Sequence, residues 1–211
     1  MRRAVLWDMD GTLVDSEPLH DEALVGVLAD LGITAPDEFH SLVIGRAAEE
    51  IHAYCVERLG VTLGLEEWLT RKYRRYFGSL DRLKPRDGAV DLYKELRAAG
   101  VAEAVASNSD RIVVFRNLEA AGLAYPRAIS VSRNDVRHGK PKPEIYLRAA
   151  VLLGREPADC IVVEDSTTGA GAGIAAGMTT LFWPQARHLA TPEGATRIDS
   201  FDHLAETLRA A

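Results

Sequence analysis

The chain has 211 residues, 47% of them hydrophobic and 27% charged, a balance that builds a core and excludes a disordered segment. Lys and Arg number 25 against 31 Asp and Glu, so the formal charge of −6 excludes a polyanion-binding surface spread over the whole protein. No apolar run approaches the ~20 residues of a membrane span, so neither nucleic acid nor membrane is an expected partner.

The first apolar run, 4–7, has the length of a strand and ends at Asp8. It is too short for a signal peptide, and Cys55 and Cys160 lie far apart with no Cys-x-x-Cys pair; both features point to reduced thiols and a cytoplasmic location. From 16 to 84 no strand pattern appears. Leu19, Ala23, Leu24, Val27, Leu28 and Leu31 share one helical face up to Gly32, 47–59 forms a second helix, and Leu65, Trp68, Leu69, Tyr73 and Tyr76 mark a third. This stretch reads as a small helical domain inserted into a core domain made of 1–15 and 85–211, with hinges at the crossings 14–17 and 84–88.

After the insertion, apolar runs at 102–106, 128–131, 160–163 and 179–182 alternate with helical patterns. One is carried by Val90, Leu92, Tyr93 and Leu96 and another by Ile145, Leu147, Ala150, Val151 and Leu152. Short runs without polar alternation suit strands covered on both faces, so the fold class is α/β, a doubly wound parallel sheet with an inserted helical cap.

Polar groups cluster where these strands end. The first leads into Asp8-Met9-Asp10-Gly11-Thr12, and two carboxylates that close repel unless a cation or a shared proton compensates. The second ends at Ser107-Asn108-Ser109, whose hydroxyl and amide groups suit phosphate oxygens. The third is followed by Gly139-Lys140-Pro141, and the fourth runs into Glu164-Asp165-Ser166. Open parallel sheets bind ligands at the carboxyl ends of their strands, so all four groups converge on one crevice. Two other motifs read as structural. Gly171-x-Gly173-x-x-Ala176 suits a small-residue helix packed closely on the sheet, and Arg71-Lys72-Tyr73-Arg74-Arg75 reads as a solvated helix face.

This set, in this order, resembles the haloacid dehalogenase superfamily, in its branch with a helical cap after the first strand and β-phosphoglucomutase-like members. Asp8-x-Asp10-Gly11-Thr12 matches the first family motif, Ser107 the second, Lys140 the third and Glu164-Asp165 the fourth. The second aspartate, Asp10, is a mark of the phosphotransferase members rather than of true dehalogenases. The resemblance implies Asp8 as a nucleophile that becomes an aspartyl-phosphate, and Asp10 as the acid and base for leaving group and water. It implies Mg2+ held by Asp8, the Asp10 carbonyl and Asp165, with Glu164 binding or supporting it. Lys140 then supplies positive charge, and Ser107, Asn108 and Ser109 hold phosphoryl oxygens.

The cap carries the specificity expectations. His20 lies near the first crossing, and Gly45-Arg46 resembles a substrate-specificity loop, although the arginine of the mutases at the third position after the glycine is here Ala48. The resulting reading is a Mg2+-dependent phosphatase for small phosphate esters, of sugars or polyols, working as a monomer. A phosphosugar mutase is the alternative within the family, and a non-catalytic phosphate-responsive module, like a receiver domain, the alternative outside it.

Overall fold

The computed structural model describes residues 3–43, 46, 48–186 and 188–210. The chain divides into two compact units, residues 1–15 with 84–211, and residues 16–83.

The first unit is built on a six-stranded parallel sheet. In chain order it contains β1 (Ala4–Trp7), β2 (Val14–Asp15) and, after residues 16–83, β3 (Lys84–Pro85), α5 (Ala89–Ala98) and β4 (Glu103–Ala106). Then follow α6 (Arg111–Ala120), β5 (Ile129–Val131), α7 (Glu144–Leu153), β6 (Cys160–Glu164), α8 (Thr167–Ala175), β7 (Thr179–Phe182), β8 (Ala195–Arg197) and α9 (Phe201–Ala210). The second unit supplies α1 (Glu17–Asp30), α2 (Phe39–Val43), α3 (Ala48–Leu59) and α4 (Leu65–Phe77).

The sheet order is β5-β4-β1-β6-β7-β8, with every pairing parallel. All residues of β1, β4 and β6 are buried, as an unalternating apolar run requires when helices cover both faces. Ala4, Leu6, Ala104, Ala106 and Val162 join Ile145, Tyr146 and Ala149 of α7 and Ala172 of α8 in one cluster. Trp7, with the opposite strand parity, packs its ring 6.1 Å from that of Tyr93 on α5. The small residues of α8 let it lie close on the sheet: a Cβ added at Gly173 would come 2.7 Å from Thr180 Oγ1 and 3.1 Å from Val162 Cγ1.

The sequence pattern places five of the six strands and misses three short ones. β8 is an edge strand without a buried residue, and β2 and β3 have two residues each, too few to show a period. β2 and β3 pair antiparallel, Val14 with Pro85 and Asp15 with Lys84.

In the second unit, Leu24, Val27, Leu28, Phe39, Val43, Ile51, Cys55 and Trp68 form the core. The short helix α2 is not visible as a period in the sequence. The basic run on α4 is only partly a solvated face. Arg71 pairs with Glu67 at 2.7 Å and Arg75 with Asp30 at 2.5 Å, whereas Lys72 is buried with Trp68 and Tyr76. No helix among the described residues is long and apolar enough to cross a membrane.

Candidate active site

The carboxyl ends of β1, β4 and β6 and the loop before α7 bring their polar residues together. Asp8 directly follows β1, and its amide donates to the carbonyl of Val163 on β6, which sets it beside Glu164. Asp8 Oδ1 accepts a hydrogen bond from Lys140 Nζ at 2.5 Å. Asp8 Oδ2 is buried and has no hydrogen-bond partner among the described residues.

Lys140 Nζ also donates to Glu164 Oε1 at 2.6 Å, and the two side chains are only 4% and 0% exposed. Burial works to lower the lysine's pKa, but the facing carboxylates of Asp8 and Glu164 outweigh it and hold the ammonium protonated. Its loop is fixed from outside by Asn108, whose Oδ1 accepts from the Lys140 amide at 2.8 Å and whose Nδ2 donates to the Lys140 carbonyl at 3.3 Å.

The two acids after β6 are not equivalent. Glu164 is engaged by four protein donors: Lys140 Nζ and Tyr146 Oη at Oε1, and the amide and hydroxyl of Ser166 at Oε2. Gly169 leaves room for it, since a Cβ there would lie 1.6 Å from Oε1. Asp165 Oδ1 accepts a 3.5 Å contact from the Thr12 hydroxyl. Carboxylate oxygens of Asp8, Glu164 and Asp165 lie within 4.8 Å of one another, a cluster that can hold a metal ion. Burial and the Glu164 charge push Asp165 up to about 7, against the pull of Arg86 and Lys140. Asp8 is likewise pushed well above the usual carboxylate range, by burial and then by Glu164, with Lys140 acting the other way. The crowding of negative charge that the sequence implies is therefore present.

Asp10 points to a different set of partners. Its Oδ2 accepts from Ser107 Oγ at 2.9 Å and Ser109 Oγ at 2.8 Å, and its Oδ1 from Asn117 Nδ2 at 3.4 Å. Ser107 and Ser109, expected at phosphoryl oxygens, thus hold Asp10 in this structure. Gly11 follows with φ +86°, a left-handed conformation, and a Cβ there would come 2.2 Å from Asp165 Oδ2.

The chain matches the sequence profile of the haloacid dehalogenase-like hydrolases over residues 2–177. It belongs to that family. This haloacid dehalogenase-like chain is 31% identical to hexitol phosphatase A of Escherichia coli (strain K12), over 83% of its own length and 80% of that protein's. It is 32% identical, over 85% of its length, to a bifunctional riboflavin kinase/FMN phosphatase of Arabidopsis thaliana, of which it spans 48%. Among solved structures, a putative β-phosphoglucomutase of Thermotoga maritima is 25% identical with a TM-score of 0.81, covering 100% of both chains. The chain is accordingly an enzyme of the family, with relatives named as phosphatases.

Several residues of this haloacid dehalogenase-like site escape the sequence reading. Asn117 is buried on α6 between Val114 and Leu118, and a polar residue on an otherwise apolar helix face was its available signal. Tyr146 and Arg86 carry no motif and are identified by their contacts alone. His20, on α1, stacks on Tyr76 of α4 with ring centroids 4.0 Å apart, and Arg46 is exposed. Gly45 lies outside the described residues.

Proposed function

We propose that this protein is a Mg2+-dependent phosphatase for small phosphate monoesters, of sugars or polyols, that turns over through a phosphoryl group carried on Asp8. The observation that carries this reading is Asp8 itself, with one oxygen on Lys140 and the other buried and without a hydrogen-bond partner among the described residues. A buried, unsatisfied carboxylate oxygen is costly, and a cation or a phosphorus centre removes the cost.

The donor set fits a hard divalent ion: it is all oxygen, and its three clustered carboxylates face one lysine. Asp8, Asp165 and the Asp10 carbonyl are the proposed holders of Mg2+. Glu164, already bonded to four donors, supports the site by fixing Lys140, the second of the two roles the sequence left open. When bound, Mg2+ neutralises the charge that otherwise keeps an anionic phosphate from an anionic nucleophile.

In the first half-reaction Asp8 Oδ2 attacks phosphorus, the P–O bond to the leaving group breaks, and protonated Asp10 delivers its proton to the departing oxygen. In the second, a water attacks phosphorus while Asp10 takes its proton, and the bond from phosphorus to Asp8 Oδ2 breaks to release inorganic phosphate. Lys140 stabilises charge on the transferring group in both halves. Ser107, Ser109 and Asn117 give Asp10 a defined position between these proton transfers. Residues 16–83 act as the substrate-selecting cap, with His20, Gly45 and Arg46 as the proposed contacts. The likeness to hexitol phosphatase A supports a sugar or polyol phosphate.

The test is phosphate release from a panel of sugar, polyol and nucleotide monophosphates, with Mg2+ and with EDTA, using Asp8→Asn as control. Metal-dependent release that is lost in the variant supports the reading. An aspartyl-phosphate that forms but persists for hours would sink it in favour of a regulatory module. Conversion of β-glucose 1-phosphate to glucose 6-phosphate with a bisphosphate primer, and no release, would replace it with the mutase.

A further inference from the structure

Arg86 belongs to none of the strand-end motifs, yet it meets the loop that carries Asp8 and Asp10 from behind. Its Nη1 donates to the carbonyl of Gly11 at 2.8 Å and to the carbonyl of Trp183, just past β7, at 2.7 Å. Its guanidinium lies 3.4 Å over the centroid of the Trp183 ring. Its own amide donates to the carbonyl of Leu13 at 2.9 Å. Gln185 adds a second donor to the same Gly11 carbonyl at 3.1 Å.

These bonds fix the outer side of a turn whose inner side faces the acidic cluster. The turn is closed by Gly11 N to Val14 O at 2.7 Å, Leu13 N to Met9 O at 2.9 Å and Val14 N to Met9 O at 3.1 Å. On the inner side, Gly11 lies so close to Asp165 that a Cβ there would meet Oδ2 at 2.2 Å and Oδ1 at 3.2 Å. A displacement of the Gly11 peptide therefore presses on Asp165 or withdraws from it, and carries the neighbouring Asp10 with it.

An arginine suits this task because its planar group can stack and donate at the same time. Burial pulls its pKa down to about 10, opposed by the charges of Asp165, Asp15 and Asp87, so it stays a cation at neutral pH. The geometry points to Arg86 as a positioning residue for the reaction: by holding the Gly11 carbonyl to the end of β7, it sets Asp10 and the Gly11 peptide against Asp165. This inference rests on the phosphatase reading for its kinetic consequence, but not for the structural one.

The test uses the 211-residue chain with Arg86→Met, which keeps an apolar stem on Trp183 and removes both hydrogen bonds, and Arg86→Lys, which keeps a cationic donor. Amide exchange in metal-free protein reads the turn directly. Residues 8–16 are expected to exchange about 10-fold faster in Arg86→Met, and 160–164 at the wild-type rate. With the sugar phosphate that the panel shows to be hydrolysed fastest and saturating Mg2+, kcat is expected to fall by about 10-fold or more with KM within about 2-fold, and Arg86→Lys to recover most of it. Wild-type exchange at 8–16 in a folded Arg86→Met protein overturns the proposal, and so does faster exchange with unchanged kcat. If Arg86→Met does not fold, Arg86→Gln takes its place: its shorter amide cannot stack on Trp183 and reach both carbonyls, so wild-type exchange at 8–16 in that variant also overturns the proposal. If the wild-type enzyme releases no phosphate, the phosphatase reading fails separately. Calorimetric Mg2+ titration then replaces kcat: weaker binding in Arg86→Met upholds Arg86, and wild-type binding overturns it.

Discussion

Lys140 and Glu164 face each other at 2.6 Å with both side chains sealed from solvent, and the same ammonium reaches Asp8 at 2.5 Å. One lysine thus joins a carboxylate that has one oxygen without a hydrogen-bond partner among the described residues to one whose oxygens are both bonded. Glu164 offsets part of the cost of burying the lysine cation, and Tyr146 and Ser166 hold it in place.

The room for Glu164 depends on Gly169. In Gly169→Ala the new Cβ would sit 1.6 Å from Glu164 Oε1, so the carboxylate must move and take Lys140 with it. The expected result is a fall in kcat of about 10-fold or more and a lower Tm, read by steady-state assay and thermal melting. A variant with wild-type kcat would show that the Glu164 position does not matter to the reaction.

Removing the cation leaves Asp8 and Glu164 buried without their counter-charge. Lys140→Met is expected to lose about 3 kcal/mol of stability in urea unfolding and about 100-fold or more in kcat. Lys140→Arg is not expected to rescue it, because a guanidinium does not fit where a single nitrogen meets Asp8, Glu164 and, 5.1 Å away, the Tyr146 ring. Recovery of activity by the arginine variant would contradict this packing.

If Asp10 delivers the proton to the leaving oxygen, the cost of Asp10→Asn must depend on how much help that oxygen needs. A sugar phosphate, whose alkoxide is a poor leaving group, is expected to lose about 100-fold or more in kcat. p-Nitrophenyl phosphate, whose phenolate departs unaided, is expected to lose markedly less under the same conditions. Equal losses on both substrates would remove Asp10 from the acid role.

Away from the site, Glu103 on β4 is buried in the sheet, its Oε1 bonded to Trp7 Nε1 at 2.9 Å and its Oε2 without a partner among the described residues. Burial pushes its pKa up to about 8, opposed by the Trp7 bond and the Arg97 charge. Because the folded protein holds this proton more tightly than the unfolded chain, its stabilising contribution is full at acid pH. It is lost as pH rises from about 4.5 through about 8. Glu103→Gln cannot lose it. Thermal melts of the two proteins across this range are expected to show the variant gaining about 2 kcal/mol or more relative to wild type by the alkaline end. Parallel curves would show that Glu103 is already ionised in the fold.

The sequence by itself determined five of the six strands of the sheet and where those strands end. Runs such as 4–7 and 160–163 lack polar alternation because both faces are covered, and each stops where a polar group begins, so Asp8, Ser107 and Glu164 were legible as strand-end residues. Hydrophobic pattern and helical period are local properties, and local properties are written in neighbouring residues. The tertiary structure alone decided the division of labour. It bonded both Glu164 oxygens to protein donors while giving Asp165 a 3.5 Å contact from Thr12, and it turned Ser107 and Ser109 toward Asp10. It also recruited Asn117, Tyr146 and Arg86, which no motif marks, and buried Lys72 within a run that reads as a charged surface. Lys140 lies 132 positions from Asp8 in the chain, and strand register with helix packing, not spacing, brings them to hydrogen-bonding distance.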